Sequence, residues 1–432
     1  MATDWSQSDS EVILKFALES STGKEQLKVK IDATHLSVTG RIAEGRFGTV
    51  FAARQLSSGR AVAVKKIRAR RNLPGLDFDP WYKSAERERD VLVDVKHTNI
   101  VELLDHYVEP GAAMAVLVYP YLSWDLATVL EHKKPLSEEA VKGIARMLLR
   151  GVAFLHEHRV VHRDLKPPNM LMDGQTGQLK VADFGSARFL PSVTDLERSS
   201  FQTCSESGLM TRDVCTRWYK SPEMLFGSVN YSFGVDLWAA GCTVAEMMLG
   251  NALFPGGSDL EQLCLIFQAL GTPDEEDWPG VRKLPDYHKV SFKQRAPEIP
   301  DLGSFSPMSQ SLAWAFLPLN PGRRLGAAEA LLHEFFQSAE SDPTALLEGL
   351  PESGHHQSEA NEGPISPIGL SEFGSDCSAL SFSGAVLEPV TVETTTCGLW
   401  DDAEADGETD VQKAPRTPTP PRDGVHKFKL KR

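Results

Sequence analysis

Two short polar runs constrain this chain more than any other feature. Residues 161–169 read Val-His-Arg-Asp-Leu-Lys-Pro-Pro-Asn, and residues 183–185 read Asp-Phe-Gly. Together they place an acid, a cation and two groups able to bind a metal at a spacing suited to phosphoryl transfer from ATP. Such a transfer needs positioning and charge neutralisation more than covalent chemistry. An ordinary polar loop between two strands rarely carries this combination, so a phosphoryl-transfer site is predicted.

Each group in these runs has a predicted role. Asp164 would accept the proton of the attacking hydroxyl, and Lys166 would neutralise charge on the transferring group. Asn169 and Asp183 would hold Mg²⁺, which prefers oxygen ligands of this kind. The sequence therefore predicts ATP and Mg²⁺ as cofactors.

A glycine-bearing stretch and a strand with a lysine precede these runs. Gly45 and Gly48 lie between strand-like segments, where backbone N–H groups could approach phosphate oxygens closely. Ala43 stands where the first glycine of a G-x-G-x-x-G loop would be. The glycines alone are weak evidence, because glycine pairs also form hairpin turns. Residues 62–65 read Val-Ala-Val-Lys, and we expect Lys65 to contact the α- and β-phosphates.

That lysine needs an anion to orient it. A helix is predicted over residues 84–96, and it offers Glu86 and Glu88. Glu88 is the better partner, because Leu92, one turn further on, would then face the core. Glu86 is interpreted as part of a solvated charged face.

The apolar run at residues 115–122 predicts a buried strand that enters a hinge. Backbone groups of Pro120 and Leu122 would bond an adenine edge, with Pro120 offering a carbonyl but no N–H. Tyr119 would close the back of the pocket. The remaining residues predicted to bind nucleotide are Val50, Ala63 and Asp125.

The pattern along the chain predicts two lobes with extensions. Residues 36–121 carry strand-like runs and one helix, whereas helical periodicity dominates residues 122–336. The predicted fold is therefore α+β, with a small β-rich lobe and a larger, mainly helical lobe. Residues 1–35 alternate around a glycine-bearing turn, which predicts a β-hairpin. It would be an appendage or a partner-binding strand pair, and we favour the appendage.

Residues 337–432 are rich in Ser, Glu, Gly, Pro and Thr, which predicts a mostly disordered, acidic tail. The tail ends in a basic segment, residues 425–432, whose purpose the sequence leaves open: an address, a contact for an acidic partner, or a solubilising end.

Composition excludes some functions. The net charge of −14 argues against a general nucleic-acid-binding surface. The six cysteines are scattered and show no C-x-x-C pair, so reduced thiols are expected rather than zinc or disulfides. Neither a secretory signal nor an apolar run long enough for a membrane span is visible, and we expect cytoplasm or nucleus.

With these residues in view, the chain resembles the eukaryotic protein kinases over roughly residues 40–336. It is most similar to the cyclin-dependent and mitogen-activated branch, and within it to the cell-cycle-related kinases, a group linked to cilium or flagellum length. The segments that carry the resemblance are residues 97–101, 216–223, 234–238, 259–264, 270–273 and 284–287.

The resemblance implies several structural contacts. Glu223 should pair with Arg324 and brace the large lobe, while Asp236 should anchor the backbone of the catalytic loop. An apolar column should link the lobes in the active state; its members would be Leu92, Leu103, His162 and Phe184.

The resemblance also implies a switch. Thr211 lies five residues before Thr216, at the place of the activating threonine in this branch. Phosphate there would need cations, and arginine suits it because its planar fork bonds phosphate at two points. The sequence supplies Arg87, Arg163 and Arg188, which would otherwise form surface salt bridges.

The family prefers serine or threonine followed by proline. Thr216, whose hydroxyl would bond Asp164 and Lys166, supports Ser or Thr rather than Tyr as the acceptor. Lys220 and Ser221 depart from the family pattern, where arginine and alanine are commoner.

The implied partners are protein substrates and an upstream activating kinase. A cyclin or cyclin-like activator stays open, because residues 80–88 stand where cyclin-binding kinases carry their partner helix and depart strongly from that pattern. The main function predicted is a proline-directed Ser/Thr kinase. A catalytically silent scaffold is disfavoured because Lys65, Asp164, Asn169 and Asp183 are all present. In a third reading, the tail carries partner binding.

Overall fold

The computed structural model describes residues 36–45, 48–68, 80–107, 114–190, 217–229, 232–337, 344, 347–348 and 350. The hairpin predicted within residues 1–35 lies outside this set, as does nearly all of the predicted tail.

Antiparallel strands form the small lobe: β1 (Leu36–Gly45), β2 (Gly48–Gln55), β3 (Ala61–Arg68), β4 (Asp105–Tyr107) and β5 (Met114–Pro120). They make a five-stranded sheet in the order β1-β2-β3-β5-β4. Successive side chains of a strand point to opposite faces. Val62 and Val64 are buried in a cluster on one face, so Ala63 and Lys65 face the other side.

One helix, α1 (Pro80–Asp94), accompanies this sheet. It begins four residues before the predicted start at residue 84, because proline is well suited to the first turn of a helix. It also ends two residues before the predicted end at residue 96. Ala85, Val91 and Leu92 are buried and pack into the main core. This packing fixes which side of α1 faces the core.

Helices dominate the large lobe: α2 (Leu126–His132), α3 (Glu138–Glu157), α4 (Pro222–Leu225), α5 (Gly234–Leu249), α6 (Asp259–Leu270), α7 (Pro307–Ala315) and α8 (Ala327–Ala330). The Ser137 side chain caps α3 by accepting from the Ala140 N–H. Helix α5 is buried along almost its whole length and ends at Gly250, whose φ of 75° suits a glycine. It is the central helix of the lobe.

Short strands position the two polar runs: β6 (Trp124–Asp125), β7 (Val160–Val161), β8 (Met170–Met172), β9 (Leu179–Val181) and β10 (Arg188–Phe189). Strands β6, β8 and β9 form one sheet in that order, and β7 pairs with β10. The first polar run connects β7 to β8, and the second connects β9 to β10. Because these strands pair, the two runs lie side by side, and the Ala182 N–H donates to the Asn169 carbonyl at 2.9 Å.

The predicted α+β class, with a β-rich small lobe and a helical large lobe, is confirmed. The main core runs from Ile67 and Leu92 of the small lobe to Trp238 and Phe316 of the large lobe. Within the described residues, none of the helices has the length and apolar character needed to span a membrane.

Candidate active site

Lys65 lies on β3, on the face of the sheet opposite the buried Val62 and Val64. Its Nζ is 2.7 Å from Oε2 of Glu88 on α1, the ion pair that the sequence predicts. The same Nζ is 2.9 Å from Oδ1 of Asp183, in the second polar run. One ammonium group therefore joins a strand, a helix and a loop that are far apart in the sequence.

Charge and burial compete at this cluster. Burial alone lowers the pKa of a lysine, but the carboxylates of Asp183 and Glu88 outweigh it and raise the pKa of Lys65 above its ordinary value. Burial acts to raise the pKa of Asp183, yet Lys65 holds that pKa below its usual range. Both groups are therefore charged at neutral pH, so the ammonium can attract phosphate and the carboxylate can attract a cation.

A tyrosine completes the cluster. The hydroxyl of Tyr119, on β5, donates to Oε1 of Glu88 at 2.7 Å. Burial, followed by the nearby Glu88 charge, raises the pKa of Tyr119 well above its ordinary value. Sequence reasoning placed Tyr119 at the back of the pocket but missed this bond, because no local pattern links residues in separate elements.

The first polar run forms a compact hydrogen-bonded group. Nζ of Lys166 is 3.0 Å from Oδ2 of Asp164. The amide nitrogen of Asn169 donates to the Asp164 carbonyl at 2.8 Å and lies 3.2 Å from Oδ2. Burial raises the pKa of Asp164, although Lys166 acts in the opposite direction. A carboxylate with a raised pKa is a better proton acceptor than an ordinary aspartate.

Asp236, near the start of α5, supports this run from beneath. Its carboxylate accepts from the backbone N–H of His162 at 2.9 Å and of Arg163 at 2.8 Å. It also contacts Nε2 of His156 at 3.0 Å, a partner that sequence reasoning missed. The implied anchoring by Asp236 is thus present. One further implied contact is present: the rings of His162 and Phe184 have centroids 4.8 Å apart. The other two members of the predicted column are Leu92, which is buried, and Leu103, which is partly buried against the same core.

The glycine stretch joins β1 to β2. Gly45 and Gly48 are paired across these strands, as are Ala43 and Val50. Gly48 has a φ of 149°, and a Cβ added there would lie 2.2 Å from the Lys66 carbonyl oxygen. The neighbouring strand therefore demands a glycine at residue 48. Whatever its part in phosphate binding, this residue has a structural reason to be glycine.

The other predicted nucleotide contacts line the junction of the lobes. Ala63 pairs with Tyr119 across β3 and β5, and Pro120 ends β5. Leu122 is buried two residues further on. Asp125 caps α2, accepting from both the N–H and the hydroxyl of Thr128 at 2.9 Å. This capping accounts for an aspartate at residue 125 independently of any ligand.

The predicted switch is only partly within the described residues. Thr211 and Thr216 lie outside them. Arg87 donates to the Gly185 carbonyl, and Nε of Arg163 donates to the Ser186 carbonyl at 2.6 Å. Arg188 follows on β10. The side chains of Arg87 and Arg163 thus reach the end of the second polar run, and Arg188 follows that run in the sequence.

Two contacts brace the segment after Thr216. Nε of Arg217 is 2.6 Å from Asp259, at the start of α6, a contact that sequence reasoning missed. Glu223 and Arg324 form the implied buried ion pair, with N–O distances of 2.6 and 2.8 Å. These contacts hold the segment to the helices beneath it.

Comparison with known proteins agrees with this geometry. The protein kinase domain family matches residues 36–336. A second family, the CS domain, matches residues 2–47, most of which lie outside the described set.

Several curated relatives share this domain. Cyclin-dependent kinase 20 of Pongo abelii is 42% identical, covering 70% of this chain and 83% of the relative. The protein of the same name from Mus musculus is 41% identical over the same shares. That of Danio rerio is 40% identical, covering 69% of this chain and 83% of the relative. On this evidence the chain belongs to the protein kinases, as a serine/threonine kinase of the cyclin-dependent-kinase-like group.

Proposed function

We propose that this kinase uses ATP and Mg²⁺ to phosphorylate Ser or Thr residues followed by proline, and that phosphorylation of Thr211 activates it. The observation that carries the proposal is the cluster of Lys65, Glu88 and Asp183 beside the paired Asp164 and Lys166. These are the groups that position phosphates and a hydroxyl in kinase chemistry.

The donor set suits a nucleotide-bound metal. Asp183 offers a carboxylate to a cation. The Lys65 ammonium, itself a cation, already lies 2.9 Å from it. Asn169 directs its amide nitrogen to Asp164, so its oxygen is the atom it offers a cation. Among the described residues, no group of three His, Cys, Asp or Glu side chains could hold a metal. This fits Mg²⁺, which is commonly held by one or two protein ligands together with phosphate oxygens.

The proposed step transfers one phosphoryl group. The substrate hydroxyl oxygen bonds to the γ-phosphorus as the bond to the β–γ bridging oxygen breaks, giving a phosphoester and ADP. Asp164 takes the hydroxyl proton, and Lys166 offsets the negative charge on the phosphoryl oxygens. Mg²⁺, when bound, would neutralise charge on the β- and γ-phosphates. Lys65, oriented by Glu88, would hold the α- and β-phosphates.

The nucleotide would lie against the junction of the lobes. Ala43, Gly45, Gly48 and Val50 belong to the strands above it, and Ala63 and Tyr119 belong to the sheet behind it. Pro120 and Leu122 would offer backbone groups to adenine, and Asp125 would face the ribose. These assignments rest on the kinase family and on the positions of β1, β2, β3 and β5.

The positions of three arginines support the proposed switch. Arg87 is on α1, Arg163 is in the first polar run, and Arg188 is on β10. Phosphate on Thr211 would draw on all three side chains, and so connect the helix that carries Glu88 with the loop that carries Asp164. This arrangement favours an on-switch over an off-switch.

A radiolabelled-ATP assay on the full chain tests these points. Two acceptor peptides would differ only in proline or alanine after the serine, and the chain would be compared as wild type, Asp183→Asn and Thr211→Ala. We expect preferential labelling of the proline peptide, loss of activity in Asp183→Asn and reduced activity in Thr211→Ala. A matched control is Asp277→Asn, which alters an exposed aspartate.

Each result bears on a separate part of the proposal. Equal labelling of both peptides would remove the proline preference. A Thr211→Ala variant as active as phosphorylated wild type would remove the switch. Full activity in Asp183→Asn would remove the metal role, and a wild type that binds nucleotide but labels nothing would favour the scaffold alternative.

The cellular role belongs to the same proposal. The relatives are named as cyclin-dependent kinases, which supports a cyclin or cyclin-like activator. An upstream activating kinase and a part in cell-cycle or cilium control are proposed from the family resemblance alone. We place the chain in the cytoplasm or nucleus, and at the cilium or flagellum by resemblance. Imaging of a fluorescent fusion, with recovery of bound cyclins from the same cells, would test this placement.

A further inference from the structure

Both oxygens of the Glu88 carboxylate have a donor. Oε2 receives Nζ of Lys65 at 2.7 Å, and Oε1 receives the Tyr119 hydroxyl at 2.7 Å. Only 2% of the Glu88 side chain is exposed, so water cannot easily replace either donor. A buried carboxylate that loses a partner is strongly destabilised where it lies.

The two donors come from one rigid surface. In β3 and β5, Lys65 pairs with Leu117, and Ala63 pairs with Tyr119. Residues opposite each other in antiparallel strands share a face, and residues two apart on one strand do so too. Lys65 and Tyr119 therefore project from the same face of the sheet, and both reach Glu88 of the separate helix α1.

The two donors differ in how permanent their contacts are. Lys65 also bonds Asp183 and is the group proposed to hold phosphate, so its hold on Glu88 is shared. The Tyr119 phenol has two side-chain torsions and is 8% exposed. Its hydroxyl makes one described bond between side chains, and that bond is to Glu88. A buried phenol whose pKa is raised stays protonated and continues to donate.

We propose that Tyr119 is a positioning residue: its hydroxyl holds Glu88, and through Glu88 the helix α1, in the position that keeps Lys65 directed at the nucleotide. Tyrosine at this position then does more than close the pocket. Without the hydroxyl, Oε1 of Glu88 lacks a donor, and the carboxylate gains by rotating or by drawing α1 toward water. Either movement takes the anion away from Lys65.

The direct test is Tyr119→Phe in the full chain, which removes one oxygen and keeps the ring. We expect kcat/KM for ATP to fall about ten- to a hundredfold, the size expected for a hydrogen bond to a charged group. Most of the change should be in KM for ATP, with KM for the peptide unaltered. Tyr287→Phe is the matched control, because that ring packs on Phe226 in the large lobe. Thermal unfolding of each variant checks that the fold is retained.

A double-mutant cycle separates positioning from packing. Glu88→Ala removes the group through which the phenol is proposed to act, so adding Tyr119→Phe should cause no further loss in ATP affinity, measured with a fluorescent nucleotide. An equal loss in both backgrounds would show that the phenol acts elsewhere and overturn the inference. So would a Tyr119→Phe chain with wild-type KM for ATP.

The inference rests on the roles proposed above for Lys65 and Glu88. The positioning role of Tyr119 can fail while those roles hold, and the two failures give different results. If Lys65→Ala retains normal ATP affinity, the proposed nucleotide site itself is wrong. If Lys65→Ala loses affinity while Tyr119→Phe does not, only the positioning role is lost. The cycle does not depend on proline preference or on Thr211.

Discussion

Two buried ion pairs of this chain are built in opposite ways. Arg324 meets both oxygens of Glu223 and also donates to the carbonyls of Gly234 at 2.8 Å and Pro318 at 3.0 Å. Its guanidinium lies 5.0 Å from the centre of the Trp238 ring. Lys65, by contrast, brings a single ammonium to two competing carboxylates.

The difference matches what each pair has to do. The planar fork of arginine can fill all its donor positions at once, which makes the Glu223–Arg324 pair a fixed brace. A lysine is a compact charge on a flexible stem, and it can exchange a carboxylate for a phosphate with little reorganisation. One pair should therefore govern stability, and the other should govern activity.

The largest effect should follow from Lys65→Met. Loss of the ammonium leaves the phosphates without their cation, so we expect kcat to fall by about 10²–10³-fold. Phosphate incorporation at saturating ATP and peptide would measure it. Retention of more than about a tenth of wild-type kcat would contradict the division of roles.

The largest effect on stability should follow from Arg324→Met. It leaves Glu223 buried without its partner, and we expect the free energy of unfolding to fall by about 3–5 kcal/mol, measured by denaturant titration. The double variant Arg324→Met with Glu223→Leu should recover part of the loss, because no buried charge is left unpaired. A double variant less stable than Arg324→Met alone would count against a simple brace.

The pH dependence of the rate should distinguish the two aspartates of the cleft. The pKa of Asp164 is raised by burial, so its proton-accepting form is lost as pH falls through a value above the ordinary aspartate pKa of about 3.9. The pKa of Asp183 is lowered, so this group stays ionised over that range. We expect kcat to fall up to about tenfold per pH unit on the acid side. An acid limb at or below the ordinary aspartate pKa would exclude Asp164 as its source.

The smallest effect should come from Glu86→Ala. Glu86 pairs with Lys83, one turn earlier on α1, at 3.1 Å. The Lys83 side chain is 45% exposed and that of Glu86 is 19% exposed, so Glu86 is less solvated than the sequence predicted. Surface pairs of this kind contribute less than about 1 kcal/mol. Stability and ATP affinity should therefore stay close to wild type. Comparison with Glu88→Ala shows whether ATP affinity depends on the buried carboxylate of Glu88 rather than on that of Glu86.

Short-range patterns predicted much of this site. The spacing within residues 161–169 determines the contacts among Asp164, Lys166 and Asn169, because all three belong to one turn between β7 and β8. The choice of Glu88 over Glu86 followed from helical periodicity, and the observed ion pair with Lys65 agrees with it.

Long-range contacts were harder to predict. The bonds from Tyr119 to Glu88 and from Arg217 to Asp259 depend on how separate elements pack, and each residue alone has an ordinary local role. The predicted start of α1, residue 84, was also wrong by four residues, because the helix begins at Pro80. Terminal residues of a helix are set by local caps and backbone angles, which periodicity does not report.

The backbone of the two polar runs carries a further consequence. Arg163 has a φ of 68° and Asp183 a φ of 64°, values that disfavour residues with a Cβ by about 1–2 kcal/mol each. The surrounding bonds from Asp236 and Lys65 keep them there. Loss of either partner would let its segment return to an ordinary backbone conformation, so the shape of both runs is imposed by residues outside them.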